Sequence, residues 1–257
     1  MGSTARKIFV EPRRKRADLS DYTFTYNANA DVLEATITQP LQAVLTGQDL
    51  VTLAADGTYQ TLPAKAYKLG NILSYTGGYT QVSGFQNAEG DFVTLATAVV
   101  EGVNILEILK ADRVVAQITS VMAPGDSVQS VSFAGSAIEN LQINGQSITV
   151  SVNPNAMGPQ PAGDGSYFDA SNVPAGMTVS GDQLSGSVLT STSIAQIVVP
   201  NFGTVSLGQL TVTRTEGQTG YVYDYRLAMI QADLSGGGVE GGIVVGMADP
   251  NGSGNGG

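Results

Sequence analysis

Apolar and polar residues alternate with a period of two along most of this chain, and glycine interrupts the alternation every few residues. Tyr22, Phe24 and Tyr26 alternate with Thr23, Thr25 and Asn27, which gives a strand one apolar face; a helix needs its apolar residues three and four apart. Related β-branched or alternating runs occupy 32–38, 41–45, 50–53, 91–100, 127–134, 138–143 and 148–152. They resume at 188–190, 194–199, 204–207, 209–215, 221–232 and 243–247. With 32 Gly and 10 Pro in 257 residues to make turns, so many short strands predict an all-β chain. The leading expectation is an antiparallel β-sandwich, jelly-roll-like, with terminal extensions. A β-solenoid is the alternative, placed second because no repeat of about 20–50 residues is visible.

Local signals refine this. Asn144-Gly145 is the strongest hairpin signal in the chain, and Asp56-Gly57 is another. Tyr75-Thr76-Gly77-Gly78-Tyr79-Thr80 reads as a tight turn between strands. Residues 103–121 mix helical and strand spacing; their β-branched content favours two strands with a turn near Lys110-Ala111-Asp112. Residues 153–187, rich in Gly, Pro and Asn, read as a long loop over one edge. The glycine run at 236–242 lacks the Lys-Ser/Thr of a phosphate loop and reads as a turn. The expected organisation is a basic N-terminal arm at 1–20, one all-β domain at 21–248 and a flexible Gly-rich tail at 249–257.

Composition removes whole classes of chemistry. The chain has no Cys, His or Trp. Disulfide scaffolds, zinc fingers, haem sites and His-dependent catalysis are therefore excluded. Carboxylates are the only plentiful acid–base groups. Glu34, Glu101, Glu107, Asp112, Glu139 and Glu216 fall in or beside strands, but nothing in their spacing places two face to face as a glycosidase requires. They read as solvated carboxylates, and the chain is not expected to be an enzyme. Calcium is the one metal such a composition permits. Asp164-Gly165-Ser166 with Asp169, or Asp249-Pro250-Asn251, would supply oxygens; neither has the spacing of a known calcium loop, so no cofactor is expected. Tyr221, Tyr223 and Tyr225 alternate along one strand and read as rings packed on the core edge, with a subunit or ligand contact as the alternative.

No membrane insertion is expected. The apolar run from Val99 to Leu109 is broken by Glu101, Asn104 and Glu107, far short of about 20 apolar residues. The basic N-terminus leads into a polar stretch at 17–21, so an intact signal peptide is not expected. Either the protein works inside the cell that makes it, or a signal preceded this sequence. The lack of Cys favours extracellular or virion life, where free thiols are a liability.

Charge is divided unevenly. Residues 1–16 hold Arg6, Lys7, Arg13, Arg14, Lys15 and Arg16 against Glu11, a net of +5; the other residues carry six basic and 21 acidic side chains, a net of −15. A cationic arm on an anionic body reads either as a solvated tail or as an arm that docks on the acidic surface of a neighbouring copy or binds nucleic acid or anionic lipid. The arm and the strand after it supply the candidate subunit-interface residues: Arg13, Arg14, Lys15, Arg16, Tyr22, Phe24 and Tyr26.

From about residue 30 the layout resembles the choice-of-anchor family of secreted bacterial surface proteins. The matching pieces are Asn104-Ile105-Leu106 through Ala111-Asp112-Arg113-Val114, the run from Ala137 to Val150, Val199-Pro200-Asn201-Phe202-Gly203 through Leu207, and Val244-Val245-Gly246-Met247-Ala248. What the resemblance implies is an extracellular structural role, with no catalytic residues to carry over.

The leading expectation is a self-assembling structural protein, a subunit of an extracellular filament or surface layer whose partners are copies of itself. One alternative is a virion coat or tail subunit whose basic arm meets nucleic acid. The other is a carbohydrate-binding or carbohydrate-active surface protein.

Overall fold

The structure, a computed structural model, describes residues 23–126, 129–154, 177–180, 188–190, 195–217 and 220–255, and among these every regular element is a strand. Strands β1 (Thr23–Thr25) and β19 (Ser253–Asn255) pair with each other. One sheet contains β5 (Thr58–Leu69), β6 (Leu73–Gln86), β7 (Phe92–Ile105) and β8 (Leu109–Met122) as successive hairpins. It continues through β11 (Leu141–Ile143), β12 (Gln146–Val152) and β13 (Met177–Ser180), while β9 (Ser130–Ser132) and β10 (Ala137–Glu139) also pair with β8. The second sheet runs β14 (Val188–Thr190), β15 (Ala195–Val199), β16 (Gly203–Gly217), β17 (Gly220–Gly236) and β18 (Val239–Pro250). Beyond β18 come β2 (Ala28–Gln39) and β3 (Ala43–Gln48), with β4 (Val51–Thr52) also on β2. All the pairings are antiparallel. Strands β2, β17 and β18 of the second sheet pack on β6, β7 and β8 of the first, and neither sheet closes into a barrel. This is the expected all-β sandwich.

The interior face does not keep one parity along the strands. In β7 the core residues are Ala96, Ala98 and Val100, then Val103 and Ile105. In β8 they are Leu109 and Ala111, then Val114, Ala116 and Ile118. In β6, Leu73 and Tyr75 give way to Thr80 and Val82. The registers place these breaks side by side, at Ala66, Thr76, Gly102 and Asp112 across β5 to β8. The second sheet breaks the same way at Gly208, Met229, Gly246 and Val32 across β16, β17, β18 and β2. Gly102, Gly208 and Gly246 sit there at φ of 61°, 61° and 68°, a region that glycine enters without steric penalty. The break in β18 packs on the first sheet, where a Cβ on Gly246 would lie 3.3 Å from Val114 Cγ1.

These breaks account for two departures from expectation. The stretch from Tyr75 to Thr80 is not a turn but the middle of β6. Its glycines admit a close neighbour: Gly78 has φ of 146°, and a Cβ there would lie 1.9 Å from Val99 O. The turn between β7 and β8 falls at 106–108 rather than near Lys110. Leu106 and Glu107 both take positive φ, held by Asn104, whose Oδ1 accepts from Glu107 N at 2.9 Å, and by the Glu107–Lys110 ion pair at 2.6 Å. The Asn144-Gly145 hairpin is where it was expected, with Ile143 opposite Gln146 and φ of 56° and 77° at the two turn residues. Gly237-Gly238 likewise turns β17 into β18.

The C-terminal stretch expected to be unstructured is ordered through Asn255. Asp249 and Pro250 end β18, and β19 holds β1, placing Phe24 opposite Gly254. The glycines are what the packing needs, since a Cβ on Gly252 would strike the Phe24 ring at 2.3 Å. Most of the loop expected at 153–187 lies outside the described residues; Met177–Ser180 forms β13.

Candidate functional site

The most unusual chemistry lies on the outer face of the second sheet. Asp31 of β2 stands opposite Met247 of β18, and Asp249 stands opposite Asn29. The neighbouring strand β17 contributes Asp224 and Arg226. Arg226 Nη2 lies 2.8 Å from Glu34 Oε2 and touches Met247 Sδ. Four carboxyl groups therefore surround one guanidinium. Asp31 retains only 7% of its surface. Oδ1 of Asp31 and Oδ1 of Asp249 are buried with no hydrogen-bond partner among the described residues.

Electrostatics follow from that geometry. Burial pushes the Asp31 carboxyl up to about 7; Glu34 and Asp249 add to the rise, and Arg226 opposes it. Burial likewise raises Asp249 to about 6, with Arg226 opposing and Glu34 and Asp224 reinforcing. Asp224 is raised by burial as well. An ionised carboxylate in such a place favours a cationic or donor partner or a proton. Among the described residues no group of three or more His, Cys, Asp or Glu side chains is arranged to hold a metal ion. Asp164, Ser166 and Asp169 lie outside the described residues. Asn251 spends its Oδ1 on Tyr225 N, 2.9 Å away.

The residues singled out from sequence are placed as follows. Arg13, Arg14, Lys15, Arg16 and Tyr22 lie outside the described residues. Phe24 and Tyr26 are buried in this chain's own core, not offered to a neighbour: Phe24 stacks on Phe92 at 4.5 Å and meets Tyr26 edge-on at 4.8 Å. Of the carboxylates, Glu139 pairs with Arg113 at 3.3 Å, and Asp112 accepts from Asn140 Nδ2 at 2.7 Å. Glu107 is fixed in its turn, where hydrogen bonds from Lys110 and Asn104 hold its carboxyl below the usual range. Glu101 is exposed, and the side chain of Glu216 is outside the described set. Tyr225 is fully buried; the side chains of Tyr221 and Tyr223 are outside that set too. Asp31 escaped the sequence reading, which placed it before a strand; Asp249 was singled out only as a calcium oxygen in a tail, whereas it stands at the end of β18 beside Asn29.

A second feature is the edge of the first sheet. Among the described residues β5 pairs only with β6. Residues 58–63 are exposed on both faces, Tyr59 at 61% and Leu62 at 39%. Pro63 sits opposite Tyr79 in the ladder. Proline has no N–H, so its nitrogen belongs on the open side, and alternation then turns the N–H groups of Tyr59 and Thr61 to that side as well. The far half of the strand carries Pro63, Lys65 and Lys68, devices that blunt an edge. Thr58–Leu62 carries neither charge nor proline.

Fold and site together describe a Gly-punctuated β-sandwich in which, among the described residues, β5 is paired on one side only, with a buried acidic cluster on the other sheet. The chain belongs to the DUF8256 family, a domain of unknown function, whose model matches residues 24–181. No curated protein and no solved structure matches it. Among the described residues no helix is long and apolar enough to cross a membrane.

Proposed function

We propose that this protein is a non-catalytic structural subunit that assembles with copies of itself, outside the cell or at its surface, by strand addition at a sheet edge. One observation carries the reading: among the described residues Thr58–Leu62 pairs on one side only and carries an exposed Tyr59 and an exposed Leu62, with no charge among them. Such an edge is a template for another strand. Pro63, Lys65 and Lys68 confine the addition to that half and so fix its register. The absence of Cys and the resemblance to choice-of-anchor surface proteins support the extracellular setting.

The connector in this reading is β5 and not the N-terminal strand, because Phe24 and Tyr26 are already used inside the subunit. The test is Thr61→Pro, which removes an outward N–H while leaving the ladder to β6. The full chain should form polymers in sedimentation and negative-stain imaging. Thr61→Pro and, separately, Tyr59→Lys should stay folded by circular dichroism and remain monomeric. Polymerisation of both variants to the wild-type extent would overturn the reading.

A further inference from the structure

Among the described residues the acidic cluster of β2, β17 and β18 has fewer cations than carboxyl groups. Asp31 and Asp249 have Arg226 as their one cationic neighbour among the described residues, while Glu34 and Asp224 add negative charge around them, and the Arg226 guanidinium is turned to Glu34. Asp31 is more than nine-tenths buried and aimed into the cluster, yet among the described residues its Oδ1 has no donor, and neither has Asp249 Oδ1. These atoms match N–H donors bearing positive charge.

We propose that the chain's own basic N-terminal segment, residues 6–16, seats on this face and supplies guanidinium or ammonium groups to Asp31 and Asp249. Charge complementarity is the first argument: the segment is net +5 and the rest of the chain net −15. Reach is the second. Arg16 precedes Thr23, the start of β1, by seven residues, which span up to about 25 Å when extended. Asp249 is in register with Asn29, and Asn29 is within about 20 Å of Thr23 along the chain. A tether of that length keeps the segment at millimolar effective concentration, far above that of a neighbouring copy in dilute solution. Arginine suits the site best, since its planar fork donates to two carboxylates at once.

The chain has no Cys, so Val10→Cys takes a single nitroxide label. In isotope-labelled full-length protein, the label should broaden the amide signals of Asp31 and Asp249 and leave Asn144, beside the β7–β8 turn at the end of the first sheet away from Phe24, sharp. Replacing Arg13, Arg14, Lys15 and Arg16 together by Ser should abolish that broadening, and replacing the three arginines by Lys should retain most of it. A mixture of unlabelled nitroxide chains with isotope-labelled chains lacking the nitroxide should show none. Three results overturn the proposal: no broadening in the full chain, broadening unchanged by the Ser replacements, or broadening in the mixture, which would put the segment on a neighbour.

Discussion

Gly78 and Gly145 both have φ values that side chains resist, and they separate two reasons for a glycine. At Gly145, φ is 77° and a Cβ would meet nothing within 4 Å. At Gly78 the Cβ would sit 1.9 Å from Val99 O, in the backbone of β7. Gly145→Ala should therefore cost only the conformational strain, about 1–2 kcal/mol. Gly78→Ala must also push β6 from β7, and should cost about 3 kcal/mol or more. Urea unfolding of the two variants measures the difference. Equal losses would mean that β6 and β7 do not approach as closely as described. Neither distinction follows from residue type: a hairpin glycine and a strand glycine look alike until the neighbouring carbonyl is placed.

At the level of elements, the expected strands and the Asn144-Gly145 hairpin were legible because period two and turn chemistry are local properties. The parity breaks were not. A break at Thr76 or Gly102 makes sense only beside its partner on the next strand, so the run from Tyr75 to Thr80 looked like a turn. The acidic cluster was hidden for the same reason. Strict alternation starts a strand at Val32, whereas β2 begins at Ala28 and shifts phase at Val32, which leaves Asp31 in the strand and on its outer face. The place of Asp249 in a strand was hidden by composition, because a Gly-, Asn- and Ser-rich stretch has the signature of disorder. Here its small residues pass beneath Phe24. Ending the chain after Pro250 should thus expose Phe24 and part of Tyr26, lowering stability by about 1.5–3 kcal/mol. Thermal unfolding of the truncated and full chains checks this, and an unchanged melting temperature would return the tail to the unstructured class.

Across the whole molecule, charge is separated between a +5 segment and a −15 remainder, and the buried acids make that separation readable as pH dependence. Among the described residues Asp31 faces Glu34 and Asp249 with Arg226 against them, and its carboxyl stands at about 7 when folded against an ordinary 3.8. A folded-state value raised in this way favours the protonated form. Its stabilising contribution is full below the unfolded value and is lost as pH rises through about 7. Asp249, raised to about 6, adds a loss of the same sign over a slightly lower range. Cations seated on the cluster favour the charged forms, so they lower both values and reduce both losses. The chain with Arg13, Arg14, Lys15 and Arg16 replaced by Ser should accordingly lose more stability between pH 5 and pH 8 than the full chain does. The gap between the two chains should widen as pH rises. Added salt should narrow it in part, since the exposed share of the attraction is screened over about 10 Å at 0.1 M. Thermal melts of both chains at several pH values and two salt concentrations decide the matter. Parallel pH profiles for the two chains would show that the basic segment exerts no influence on Asp31 and Asp249, and Arg226 would then be the cation the acidic face relies on.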